Sequence, residues 1–141
     1  MEMRIWSRAV AVWLLLMLAE TVHGILRGLL LAPRVGDFRA RQIGAGVGAL
    51  LALGIACLLI QWIGARGNTK LIRIGLLWLV MTLCFEIALG RWTGASWERI
   101  ASDYRVDQGG LLAFGMLVLA FSPWLAHRLR GGGAKPSRAA P

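Results

Sequence analysis

Glu20, His23 and Arg27 stand in the stretch LAETVHGILRGLL, in the second half of an apolar run that begins near Trp6. A carboxylate, an imidazole and a guanidinium in such a setting are groups that relay protons, hold an ion or a charged solute, or clasp helices together. At about 100° per residue with Glu20 at zero, Arg27 falls at about −20°, His23 at about −60°, Gly24 at about +40° and Gly28 at about +80°. Val22, Ile25, Leu26 and Leu29 take the far side. The segment therefore has one polar, glycine-lined face and an aliphatic back, the division expected when lipid touches one side and a bundle the other. Gly24 and Gly28 form a G-xxx-G pair, where a neighbouring backbone is expected to approach closely.

A second carboxylate belongs with these three. Glu86 lies near the end of a later apolar run, and Thr82, Glu86 and Gly90 share one helix face at spacing four. The first and third apolar runs cross in the same direction, so Arg27 and Glu86 fall at similar depth and are expected to pair. Either charge alone would cost about 2.5–3.5 kcal/mol on insertion scales. Glu20 is then left to His23, one turn along, as a hydrogen bond that satisfies polar groups lipid cannot. Glu20, His23, Arg27 and Glu86 form the candidate intramembrane polar site.

The Glu20-x-x-His23 spelling matches half of a carboxylate di-iron motif, which needs a second Glu-x-x-His and two further Glu. Glu86 is the remaining intramembrane carboxylate, and His127 falls at the opposite end of the last apolar run. No metal site is expected, and haem held between the two histidines fails for the same reason. GAGVGALLALG, from Gly44 to Gly54, has the look of a nucleotide-binding loop but lacks a preceding strand, so it reads as helix packing through small residues. Cys57 and Cys84 read as free, buried thiols. No cofactor is implied.

The elements that position these residues are membrane helices. Hydrophobic residues make up 57% of the 141, and the mean hydropathy of +0.64 exceeds what a soluble domain of this size can hide in one core. Four apolar stretches, about 6–31, 43–63, 71–89 and 109–126, each approach the roughly 20 residues that a spanning helix needs. None alternates with period two, so strands are not expected, and the halves show no internal repeat. The fold class is all-α, a four-helix transmembrane bundle. Arg4 and Arg8 ahead of an apolar block resemble a signal peptide, but no small-x-small cleavage site follows and the stretch reads as a retained span.

The net charge is +9. No nucleic-acid motif accompanies it, and the basic residues flank the apolar runs, as contact with lipid headgroups requires. Seven Trp read as interfacial anchors. One side of the membrane receives Arg4, Arg8, Arg66, Lys70, Arg73, Arg128, Arg130, Lys135 and Arg138, and the other Arg27, Arg34, Arg39, Arg41, Arg91, Arg99 and Arg105. That bias is expected to put both termini on the cytoplasmic side of an inner membrane, with the tail 127–141 disordered there.

The two outer loops carry further signals. LAPRVGDFRARQIG turns at Pro33 and Gly36, with the first helix ending before Pro33 and Asp37 capping the second. Arg34, Asp37, Arg39 and Arg41, with Arg91, are expected at the outer mouth, where they attract an anion or hold phosphates. In GRWTGASWERIASDYRVDQGG, Trp97, Ile100, Ala101 and Tyr104 share one helical face while Glu98, Arg99, Ser102 and Asp103 face away. Ser96 is a plausible N-cap. A short interfacial amphipathic helix follows, closed by Gly109 and Gly110, which anchors the loop in lipid or covers the polar cluster.

APRVGDFRARQIG, FEIALGR, SWERIASDY and GGLL resemble segments of small four-span bacterial membrane proteins of uncharacterised function, over most of residues 18–126. The resemblance implies the four-span fold and no particular activity. In architecture the chain is also similar to the small multidrug resistance transporters, with four short spans and a Glu in the first. It departs from them in His23, Arg27 and the long outer loop, and Arg27 beside the binding Glu would serve a cation exporter poorly. Transport or binding of a small solute or ion is the expected function. The alternative is an accessory or assembly subunit of a membrane complex, or a homo-oligomer, meeting partners through its glycine faces. An enzyme ranks third, because no nucleophile–base pair or metal set is visible.

Overall fold

Backbone groups away from water must bond within their own segment, and the apolar runs do so as helices. The structure, a computed structural model, describes residues 2–105 and 110–131. Helix α1 covers Glu2–Leu26 and runs through a π-helical turn, Arg27–Leu31, into α2, Ala32–Val35. Then come α3 (Asp37–Ile63), α4 (Asn68–Trp92), α5 (Trp97–Ser102) and α6 (Leu112–Gly131), with no strand among the described residues. Four stretches, Glu2–Val35, Asp37–Ile63, Asn68–Trp92 and Leu112–Gly131, are long and apolar enough to cross a membrane. Helix continues past several of the expected ends, to Gly131 in α6, because Arg and Lys form helix as readily as Leu. Gly109, Asp107 and the tail beyond Gly131 lie outside the described residues.

The first helix does not stop before Pro33. Proline inside an α-helix lacks one donor and crowds the carbonyl four residues back. Here the preceding turn widens, with the Ala32 N–H donating to Arg27 O, and the helix passes on through Pro33 to Val35. Gly36, at φ 83°, makes the reversal into α3. It is also the residue preceding that helix, so Asp37 is not the cap; Asp37 sits in the first turn and reaches Arg41.

Helix α3 is the spine of the bundle, packed against α1 on one side and α6 on the other, and α6 packs in turn on α4. Its buried face repeats every four residues as Ala40, Gly44, Gly48, Ala52, Ala56 and Ile60. Small residues let neighbours come close, and where no water drives association, close van der Waals packing holds the helices together. Another close approach lies at Gly75 of α4, which meets the Ala120 carbonyl of α6. Neither involves Gly24 or Gly28, which have nothing within 4 Å. The expected backbone contact at that G-xxx-G pair is therefore absent.

Helices α1 and α4 are tied by two indoles. Trp78, 0% exposed, donates through Nε1 to Ala9 O at 2.9 Å, and Trp13 donates to Thr82 Oγ1 at 2.9 Å. Trp13 also meets Phe85 edge-on, with centroids 6.3 Å apart. These two tryptophans are core residues, which corrects their reading as interfacial anchors: each buried N–H has its acceptor inside the bundle. In α6, Pro123 supplies no N–H to Leu119 O, and the buried Ser122 hydroxyl donates to that oxygen at 2.8 Å instead. Cys57 and Cys84 are both free, but Cys84 is exposed rather than buried.

The end of the bundle remote from α5 is closed by cations. Arg8 donates to Trp62 O at 2.8 Å and lies over the Trp62 ring, and Arg130 donates to Cys57 O at 2.8 Å. The Trp62 carbonyl lies in the last turn of α3, where positive charge is favoured, and the Cys57 carbonyl lies earlier along the same helix. Lys70 pairs with Glu2.

Gly75→Ala should push α4 from α6 and cost about 1–3 kcal/mol, as overpacking in a tight interface does. Gly46→Ala, with nothing within 4 Å, should stay within about 0.5 kcal/mol of the parent. Thermal unfolding of the purified variants reads both.

Candidate functional site

At the α5 end the helices line a cavity of roughly 520 Å³, within the range of about 300–1,000 Å³ typical of small-molecule sites. Its lower walls are apolar: Leu16 and Met17 of α1, Ala52 of α3, and Met116 and Leu119 of α6. Its upper walls carry Glu20, His23 and Arg27 of α1, Arg41 of α3, Glu86 of α4, and Arg99 and Asp103 of the α5 segment. All four residues of the expected polar site thus line one space. Their pairing differs from the expectation.

His23 Nδ1 lies 3.3 Å from Glu20 Oε2, the contact that spacing three on one face predicts. The same carboxylate lies over Gly48, where an added Cβ would come within 2.9 Å of Oε2. Arg27 does not reach Glu86. Its side chain lies across Gly44, so both α1 charges use the side-chain-free stripe of α3. Among the described residues, neither Arg27 nor Glu86 has an ion-pair partner. The expected clasp fails for a geometric reason: Arg27 is directed towards α3, while Glu86 belongs to the wall made by α4.

Of the residues expected at the mouth, Arg41 alone lines the cavity. Its Nη1 donates to Asp103 Oδ1 at 3.2 Å, and its Nε lies 3.1 Å from Asp37 Oδ2, an ionic contact without hydrogen-bond alignment. Arg99 lies 3.9 Å from the same Asp103 oxygen. Arg34 and Arg39 are exposed and stand outside the cavity wall. Arg91 sits over the Trp97 ring at 4.9 Å and donates to Ala95 O at 3.0 Å, so it steadies the turn into α5.

Helix α5 begins as its sequence indicates, with the Ser96 hydroxyl accepting from Arg99 N at 3.2 Å. Its apolar face does not all point outward. Trp97 is exposed, but Ile100 sits on Gly90 and Tyr104 lines a smaller space of roughly 290 Å³ beside Glu86 and Leu89. Burial pushes the Tyr104 phenol above its ordinary pKa, and the Glu86 and Asp103 carboxylates add to the effect. The Tyr104 hydroxyl is buried without a hydrogen-bond partner among the described residues. Arg99 and Asp103, expected on the face turned away, form the cavity roof. Gly110 lies against the carbonyls of Ser102 and Asp103, and Leu112 N donates to Asp103 O at 3.2 Å, which anchors the roof to α6.

Thr82, Glu86 and Gly90, aligned by their spacing of four, rise from the core tie through the cavity wall to the seat of α5. Arg41 as the link between α3 and the roof has a weaker signal, a charge one turn beyond Asp37 at the head of a long helix. No group of three or more His, Cys, Asp or Glu that could hold a metal ion occurs among the described residues.

No protein-family model, curated protein or solved structure matches the chain.

Asp103→Asn should release the roof from Arg41 at a cost of about 1 kcal/mol, because the pair is partly exposed. Backbone amides of residues 97–102 should then exchange about fivefold faster, with the amides of α3 unchanged, as read by hydrogen–deuterium exchange.

Proposed function

We propose that this chain is a four-span protein of a bacterial inner membrane, with both termini in the cytoplasm, that binds a small solute or ion in the cavity under α5, for transport or reception. The observation that carries this reading is the unmatched pair: Arg27 and Glu86 line one cavity without ion-pair partners among the described residues. A partly buried charge without a partner lowers stability. Such groups are retained where a bound species supplies the missing contact. Glu20 and His23 add a proton-accepting pair beside them, and α5 lies across the outer side as a lid resting in the interface.

An accessory role in a membrane complex has one observation in its favour. Gly46, Leu50, Gly54 and Leu58 form an exposed stripe along α3, with both leucines 71% exposed and both glycines open. That face is separate from the cavity, and the two roles are compatible.

The site and clasp readings predict opposite effects of neutralisation. Removing one partner of a buried ion pair costs about 3–5 kcal/mol. In a ligand site, Arg27→Gln and Glu86→Gln should each leave thermal stability unchanged or raise it, with melts in the absence of added solute as the measurement. A loss of several kcal/mol in either single variant defeats the site reading.

A further inference from the structure

The cavity is roofed at its α5 end and open along one side of the bundle. Above it, Asp103 is held to Arg41, Ile100 is seated on Gly90, and Gly110 closes against the α5 carbonyls. At the side, the ties between α1 and α4 stop at Trp13, Met17 and Thr82. Among the described residues, no hydrogen bond or ion pair joins α1 to α4 beyond that level. Ile25 and Leu89 line the cavity and are still 55% and 37% exposed, and Gly24 beside them faces empty space. Exposed lining residues on both helices thus mark a seam between α1 and α4, on the surface that lipid would surround in a membrane.

The lining is graded along the same axis, from charged beneath the roof to aliphatic at the floor. With histidine neutral the formal charges of the lining balance, Arg27, Arg41 and Arg99 against Glu20, Glu86 and Asp103; Arg41 and Arg99 both approach Asp103, and Glu20 approaches His23. Arg27 and Glu86 are left, one cation and one anion on different walls. A purely anionic head would leave Glu86 facing it, and a purely cationic head would leave Arg27. A head carrying both signs meets both.

Resting on the site reading above, we propose that the occupant is a membrane-dissolved zwitterionic amphiphile that enters sideways through the α1–α4 seam. Its anionic group, a phosphate or carboxylate, pairs with Arg27, its ammonium pairs with Glu86, and its apolar part lies along Leu16, Met17, Met116 and Leu119. A cavity of roughly 520 Å³ holds a head and the start of a chain, and the open seam lets the remainder stay in the bilayer.

Native mass spectrometry of the full chain in detergent, titrated with three probes, tests this. The probes are dioleoyl-phosphatidylethanolamine, dioleoyl-phosphatidylglycerol and water-soluble phosphoethanolamine. The phosphatidylethanolamine should bind at least about tenfold more tightly than the anionic lipid and about a hundredfold more tightly than phosphoethanolamine. Glu86→Gln should bring the two lipids level, and Leu89→Trp, which plugs the seam outside the charged set, should cut phosphatidylethanolamine retention about fivefold. Equal binding of the two lipids by the unaltered chain overturns the proposal, and so does phosphoethanolamine binding as tight as the lipid. If Arg27→Gln and Glu86→Gln keep their stability in either case, the amphiphile assignment falls while the binding site stands. Their unfolding removes both.

Discussion

The arrangement depends on the absence of side chains at Gly44 and Gly48 of α3. Two polar side chains of α1 need somewhere to go, and lipid on its other face is a poor host for either. The glycine stripe supplies the room: Glu20 rests over Gly48 and Arg27 over Gly44, so α1 packs on α3 with its charges half-buried between the two helices. A β-carbon at either position would press on these side chains and drive the charged stripe towards α4. With glycine there, α1 and α4 meet at Trp13, Trp78 and Thr82 and leave open space beyond.

That space makes the half of the bundle near α5 unlike the other half. Near the remote end, arginines bond carbonyls of α3, and the indoles of α1 and α4 find acceptors in each other's helices. Every strong donor in these ties has its partner, as a low-dielectric interior demands. Near α5 the same rule is relaxed at Arg27 and Glu86. A stable scaffold beside a polar site with incomplete pairing is the division of labour found where binding is traded against stability. The widened π turn begins at Arg27, so the departure from regular helix coincides with the residue whose charge is unmatched.

Much of this was legible from residue order. Apolar run length sets the four helices, spacing three brings His23 to Glu20, and Ser96 marks the start of α5. A helical wheel shows which residues share a face, but not which neighbour that face meets. For that reason depth alone pairs Arg27 with Glu86, although its contact is with Gly44. Glycine patterns have the same ambiguity: Gly24 and Gly28 spell a packing motif, yet the packed pair is Gly44 and Gly48, inside the longer small-residue stripe from Ala40 to Ala56. Trp13 and Trp78 look like anchors in the sequence because tryptophan serves both interface and core, and its acceptor in the core is a residue far away in sequence. Arg99 and Asp103 share the polar side of the α5 segment, which the sequence alone turns away from the bundle, yet that side covers a cavity.

The central claim is that Arg27 and Glu86 face a shared space independently and do not neutralise each other. A double-mutant cycle with Arg27→Gln, Glu86→Gln and the double variant, followed by thermal unfolding, measures their coupling. The structure predicts a coupling within about 0.5 kcal/mol of zero. A coupling of about 2 kcal/mol or more would contradict it and restore the buried clasp.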